Sequence, residues 1–124
     1  MSKIYLAIPY TGCELESFKI ANKISAHLMN QGHIVFSPIS MSHPIAMEAD
    51  LPKGWEFWKQ FDEAFLEWCD ILYIVVMTND GWNRLINSTG LQGECEIIKV
   101  LGKPIKYIDE INLRSGGLKE MLKK

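Results

Sequence analysis

The run Asp70-Ile71-Leu72-Tyr73-Ile74-Val75-Val76-Met77 is hydrophobic at every position after its first residue. A strand wet on one face alternates polar and apolar side chains, whereas a parallel strand covered on both faces reads as a near-continuous apolar run. Residues 70–77 are therefore read as a central strand of a parallel sheet. The apolar stretch falls far short of the ~20 residues a membrane-spanning helix needs.

Working outward, similar patterns flank it. Lys3 to Ile8 is short and apolar and ends at Pro9. Glu14 to Asn30 carries Leu15, Phe18, Ala21, Ile24 and Leu28 at helical spacing and stops at Gln31-Gly32. His33 to Phe36 reads as a second strand. Ile39 to Lys53, holding Pro44 and Pro52, reads as a long connection of the kind that forms lids and binding loops. Trp55 to Trp68 is a second helix, and Thr78 to Asn87 a polar loop. Thr89 to Leu101 is a third helix, capped by Ser88 and ended by Gly102. Lys103 to Ile108 is a fourth strand, and Gly117 to Lys124 a short last helix. This order predicts one flavodoxin-like three-layer α/β domain over residues 1–124, with a parallel sheet in the order 2-1-3-4, room for an extra edge strand, and helices on both faces. Ligands of such sheets bind beyond the carboxyl ends of the strands, where the strand order reverses. Here that is the gap between the Tyr10 loop and the Thr78 loop.

Composition narrows the classes. The 124 residues are 48% hydrophobic and carry a net charge of −2, so neither disorder nor a basic nucleic-acid or membrane surface is expected. The N-terminus enters a strand pattern at once, without the pattern of a leader. Cys13, Cys69 and Cys95 have no paired spacing, which suggests reduced thiols in a cytoplasm. His27, His33 and His43 are scattered, so no metal site and no cofactor are expected. A small-molecule enzyme or binder remains.

Two carboxylates break the helical pattern. On a wheel of the second helix, Trp55, Phe57, Trp58, Phe61, Phe65, Leu66, Trp68 and Cys69 form the apolar arc, and Asp62 falls inside it, between Cys69 and Leu66. On the third helix Leu91, Cys95, Ile97, Ile98 and Leu101 face inward, and so does Glu94, while Glu96 lies opposite beside Lys99 and Lys103. An unpartnered buried charge is costly, so two inward acids near the carboxyl edge of the sheet mark a site. Such a pair suits chemistry at an anomeric carbon, one group as nucleophile and the other as acid or base. Trp55 or Trp58 is available to stack on a planar ring, and His43 to close the site from the long connection.

Ser88-Thr89-Gly90-Leu91-Gln92-Gly93-Glu94 resembles the S-x-G-x-x-x-E signature of the nucleoside 2-deoxyribosyltransferase superfamily, with the closest local likeness to deoxynucleoside 5′-monophosphate N-glycosidases. Tyr5 with Ile8-Pro9-Tyr10-Thr11-Gly12 resembles the family's strand-one motif, and Leu101-Gly102-Lys103-Pro104 the G-K-P after its glutamate helix. Ser42-His43-Pro44 and the W-x-x-W-x-x-x-D run from Trp55 to Asp62 resemble small bacterial and phage domains of the same superfamily. The resemblance implies Glu94 as nucleophile and Asp62, eight residues before Asp70, as catalytic acid. Tyr5 joins the catalytic set. Pro9, Tyr10, Thr11, Gly12, His43, Trp58, Arg84, Ser88 and Gly90 would bind substrate.

The implied activity is release of the base from a nucleoside or nucleoside 5′-monophosphate through a glycosyl-enzyme. Base exchange, cleavage of NAD-like molecules and a non-catalytic nucleotide-binding domain are the alternatives. The expected partner is a small molecule, not a polymer or a membrane, and the expected assembly is a homodimer. Ser115-Gly116-Gly117 is read either as reaching a neighbour's site or as surface linker. One departure stands out. Those glycosidases carry an arginine in the strand-one loop to grip phosphate, and Pro9-Tyr10-Thr11-Gly12 has no cation. Arg84 is the candidate replacement, and Arg114 is expected to be remote.

Overall fold

The computed structural model describes residues 2–52, 54–78 and 81–117. Strands β1 (Lys3–Ala7), β2 (Ile34–Phe36), β3 (Ile71–Val76), β4 (Ile105–Asp109) and β5 (Ser115–Gly116) form one sheet in the order β2-β1-β3-β4-β5. The first four are parallel, and β5 runs antiparallel to β4. Helices α1 (Glu14–Asn30), α2 (Pro38–Ala49), α3 (Trp55–Trp68), α4 (Gly81–Asn87) and α5 (Thr89–Val100) fill the crossovers. This is the flavodoxin-like α/β arrangement expected, with the additional edge strand present.

β3 is buried along its centre, as its composition requires, and each face of the sheet has its own core. Ile4, Leu6, Tyr73 and Val75 pack under Ile20, Ala21, Ile24 and Leu28 of α1. On the other face Tyr5, Ala7, Leu72 and Ile74 pack under Leu66 of α3 and Leu91 and Ile98 of α5. The period-two alternation of β1 thus sends Tyr5 toward the α3–α5 layer. Asp70 fastens the exit of α3 to the start of β1. Its carboxylate accepts from the Lys3 amide at 2.9 Å, and its own amide donates to the Lys3 carbonyl at 2.7 Å.

Several segments differ from expectation. Residues 39–53 are not an open connection: α2 occupies most of them. Ser37 caps it by accepting from the Ser40 amide, and Pro38 stands in the first turn, where its missing N–H costs nothing. Pro44 lies inside the helix and leaves the Ser40 carbonyl without its usual helical donor. The helix ends at Asp50, which is left-handed at φ 53°. Residues 78–87, expected as loop, contain α4, which buries Leu85. Ser115 and Gly116 are not surface linker: they pair with Ile108 and Tyr107 as an edge strand. Phe61 and Leu101, assigned to apolar arcs, are 42% and 40% exposed. The last helix expected over residues 117–124 lies outside the described residues beyond Gly117.

Candidate active site

A cleft of about 650 Å³ opens at the carboxyl end of the sheet, against the β1 end where the strand order reverses. The β1–α1 loop forms one wall through Ile8 to Cys13, and α2 contributes Ile39, Ser42 and Ala46. From α3 come Trp55, Trp58 and Asp62, and from the segment around α4 and α5 come Asn83, Arg84, Asn87, Ser88, Thr89, Gly90 and Glu94. The volume falls in the range of small-molecule pockets.

The loop wall is shaped by a tight turn. Gly12 sits at φ 86°, where a side chain would be strained, and the Cys13 amide closes the turn onto the Tyr10 carbonyl at 3.1 Å. Across the cleft, Ser88 caps α5 by accepting from the Leu91 amide at 3.2 Å. That cap fixes the first turns of α5, and with them the carboxyl group of Glu94.

Glu94 is buried at 7% exposure, whereas Glu96 on the same helix is exposed. The opposite facing expected of the two acids is what the structure has. The Tyr5 hydroxyl, fully buried on β1, donates to Oε2 of Glu94. Burial pushes Glu94 up to about 8, the nearby Asp62 charge adds to this, and the Tyr5 hydrogen bond opposes it. Burial likewise raises Asp62 to about 6, again against the pull of the Tyr5 hydroxyl. Tyr5 itself is held well above its ordinary range, first by burial and then by the two carboxylates. It therefore stays a neutral donor. At neutral pH the two acids together hold about one proton, so the pair can offer an ionised oxygen and an acidic hydrogen in one cleft.

Of the other expected site residues, Pro9, Tyr10, Thr11, Gly12, Trp58, Arg84, Ser88 and Gly90 line the cleft, while Tyr5 and His43 stand behind its wall. His43 belongs to α2, not to a loop. It is buried, stacks on Phe18 with ring centroids 4.6 Å apart, and its Nδ1 meets the Tyr10 hydroxyl at 2.6 Å. It fastens Tyr10 to the helices behind. Trp58 donates its indole N–H to the Pro52 carbonyl at 2.8 Å. Arg84 is paired with Glu16 of α1 at 3.1 Å. Arg114 is remote from the cleft, beside Asp109 at 3.8 Å.

Sequence reasoning left out Gly93. A β-carbon there would stand 2.4 Å from the Trp55 indole, so the ring rests on the backbone of α5 immediately before Glu94. A β-carbon at Gly90 would meet the same indole at 3.9 Å. The paired glycines inside S-x-G-x-x-x-E were the available signal, since glycine in a helix interior costs about 1 kcal/mol and calls for a packing reason. Asn83, Asn87 and the α2 residues were also missed, because their segments were read as loops. Among the described residues, no group of three or more His, Cys, Asp or Glu side chains could hold a metal ion. Nor is any helix among them long and apolar enough to cross a membrane.

Residues 2–110 match the model of a family described as a domain of unknown function, DUF1937. The chain belongs to that family. A search of curated proteins returns no match. Among solved structures, this DUF1937 domain is similar to a 2-deoxyribosyltransferase from the psychrotolerant bacterium Bacillus psychrosaccharolyticus. The TM-score is 0.54 and the identity 26%, over 89% of this chain and 74% of the other. The DUF1937 domain therefore has a 2-deoxyribosyltransferase-like fold.

Proposed function

We propose that the domain breaks the N-glycosidic bond of a nucleoside or nucleoside 5′-monophosphate, with Glu94 as nucleophile and Asp62 as acid and base. The observation that carries this is the meeting of Asp62 and Glu94 in one cleft, with the Tyr5 hydroxyl bonded to Glu94. The likeness to a 2-deoxyribosyltransferase supports it.

In the first step the proton the pair shares, held mainly by Glu94 at rest, passes to Asp62; the ionised Glu94 oxygen attacks the anomeric carbon, the carbon–nitrogen bond breaks, and Asp62 gives the proton to the leaving base. A glycosyl ester of Glu94 results. In the second step water attacks the same carbon and gives a proton to the Asp62 carboxylate, and Glu94 departs as a carboxylate. Tyr5 holds Oε2 in both steps and leaves Oε1 for attack, and its hydrogen bond stabilises the charge that returns to Glu94. Release to water with a preference for monophosphates is our reading. The named activity of the similar structure favours a second outcome, in which another base takes the sugar.

The same reading takes the domain as cytoplasmic and as a homodimer. Met41 and Ile45 of α2 and Phe61 of α3 are all more than two-fifths exposed, and a second copy would cover such residues.

The test is base release from a panel of nucleosides and their 5′-monophosphates, with and without a second free base. Glu94→Ala should lower release by ~10³-fold or more, as nucleophile deletions do, and Glu96→Ala should leave it within about twofold. Equal losses in the two variants refute the assignment.

A further inference from the structure

The first turn of α1 places two carboxylates on groups that an anionic substrate would otherwise use. Oε2 of Glu14 accepts from the Gly12 amide at 3.0 Å, and Gly12 lines the cleft. Oε1 of Glu16 accepts from Nη1 of Arg84 at 3.1 Å, and Arg84 also lines the cleft. Glu16 itself does not. The ion pair therefore bridges α1 and α4 at the rim, and the guanidinium that could grip a phosphate is held by the chain's own acid. Ser88, Thr89 and Asn87 line the same side of the cleft, and the Ser88 hydroxyl is already engaged in capping α5.

Resting on the function proposed above, we propose that Glu16 is a specificity-determining residue: it competes with the substrate's 5′-phosphate for Arg84. An unphosphorylated nucleoside binds with the Glu16–Arg84 pair intact. A monophosphate must displace Glu16, and it can do so because a phosphate dianion carries more charge than a carboxylate. The pair is only partly screened, with side chains 26% and 44% exposed, so it is a modest competitor and not a lock. This accounts for an arginine on α4 serving where the strand-one loop has no cation. It also makes the phosphate preference adjustable by one surface acid that touches neither the sugar nor the base.

The experiment reads binding and turnover separately. Ribose 5-phosphate and ribose are titrated calorimetrically into the wild type, Glu16→Gln, Arg84→Ala and the double variant. Glu16→Gln should tighten ribose 5-phosphate by about 2- to 5-fold, the range of a partly exposed ion pair. Arg84→Ala should weaken it by roughly tenfold or more. The double variant should match Arg84→Ala, and ribose should report the same affinity in the wild type and Glu16→Gln. In turnover, the ratio of monophosphate to nucleoside should rise in Glu16→Gln and fall in Arg84→Ala. Unchanged ribose 5-phosphate affinity in Glu16→Gln, a gain that survives in the double variant, or no binding of ribose 5-phosphate by any of the four overturns the proposal. Absence of base release from every substrate overturns the glycosidic function instead, and the sugar-phosphate titration still decides the role of Glu16.

Discussion

Replacing Glu94 by glutamine should change how stability depends on pH, whatever the substrate proves to be. Burial holds Glu94 at about 8, against an ordinary value of 4.5. In the folded protein the acid therefore keeps its proton where the unfolded chain has already lost it. A group raised on folding stabilises fully below its unfolded value, and that stabilisation shrinks as pH climbs and is gone above the folded value. Here the window runs from about pH 4.5 to about pH 8. Holding the carboxyl at about 8 makes its ionisation in the fold cost roughly 4 to 5 kcal/mol. In a domain of this size 1 kcal/mol moves the melting temperature by about 3 to 5 °C, so the effect is roughly 12 to 25 °C. The assay is thermal unfolding of the wild type and Glu94→Gln between pH 5 and pH 9. Their melting temperatures should lie close together at pH 5, and the variant should be the more stable by roughly 12 to 25 °C at pH 9. Parallel curves across that interval would refute the burial and the pairing of Glu94 with Asp62. The same pair sets the chemistry: release needs Glu94 ionised and the proton on Asp62, and with the two acids at about 8 and about 6 that one-proton state is most populated near pH 7, so base release should be bell-shaped and fall on either side.

Two further outcomes are expected. Gly93→Ala should destabilise the domain by about 1 to 3 kcal/mol, because the new methyl group meets Trp55 at 2.4 Å and overpacking outweighs the ~1 kcal/mol gain in helix propensity. Chemical denaturation should show that loss relieved when Trp55→Leu is added, and a stabilised Gly93→Ala would contradict the seating of the indole. Light scattering at high micromolar concentration should report twice the 14.2 kDa mass of one chain, and a species of single-chain mass would reject the dimer.

Much of the architecture was legible because its signals are local and periodic. Residues 71–76 carry the unbroken apolar run of a doubly covered strand, and the helical spacing of α3 and α5 alone turns Asp62 and Glu94 inward. Where the signal is long-range, the sequence was mute. Tyr5 meets Glu94 across 89 residues, and Arg84 meets Glu16 across 68. Helix α2 was missed for a different reason: Pro44 reads as a breaker, yet the helix tolerates it by forgoing one helical hydrogen bond, at the half-exposed Ser40. Its apolar residues also lack a single stripe, so nothing in their spacing announced a helix. His43 was consequently assigned to a loop over the cleft, when helical geometry turns it back onto Phe18. Phe61 was assigned to the core because a wheel shows which side is apolar but not how far the neighbouring layer extends.

The buried Tyr5 ties the candidate nucleophile to the centre of the molecule. Its side chain is inaccessible and its backbone pairs with Phe36 of β2 on one side and Leu72 of β3 on the other. Amide hydrogens in such a strand exchange only when the whole domain opens, while rim elements such as α4 open separately. The acid that would do the chemistry thus shares the slowest-opening part of the fold, and the arginine that would choose the substrate sits on an element able to open alone. Substitutions at the rim can then alter what the cleft accepts without loosening the carboxyl pair. The reverse does not hold: a change at Tyr5 disturbs reactivity and folding together.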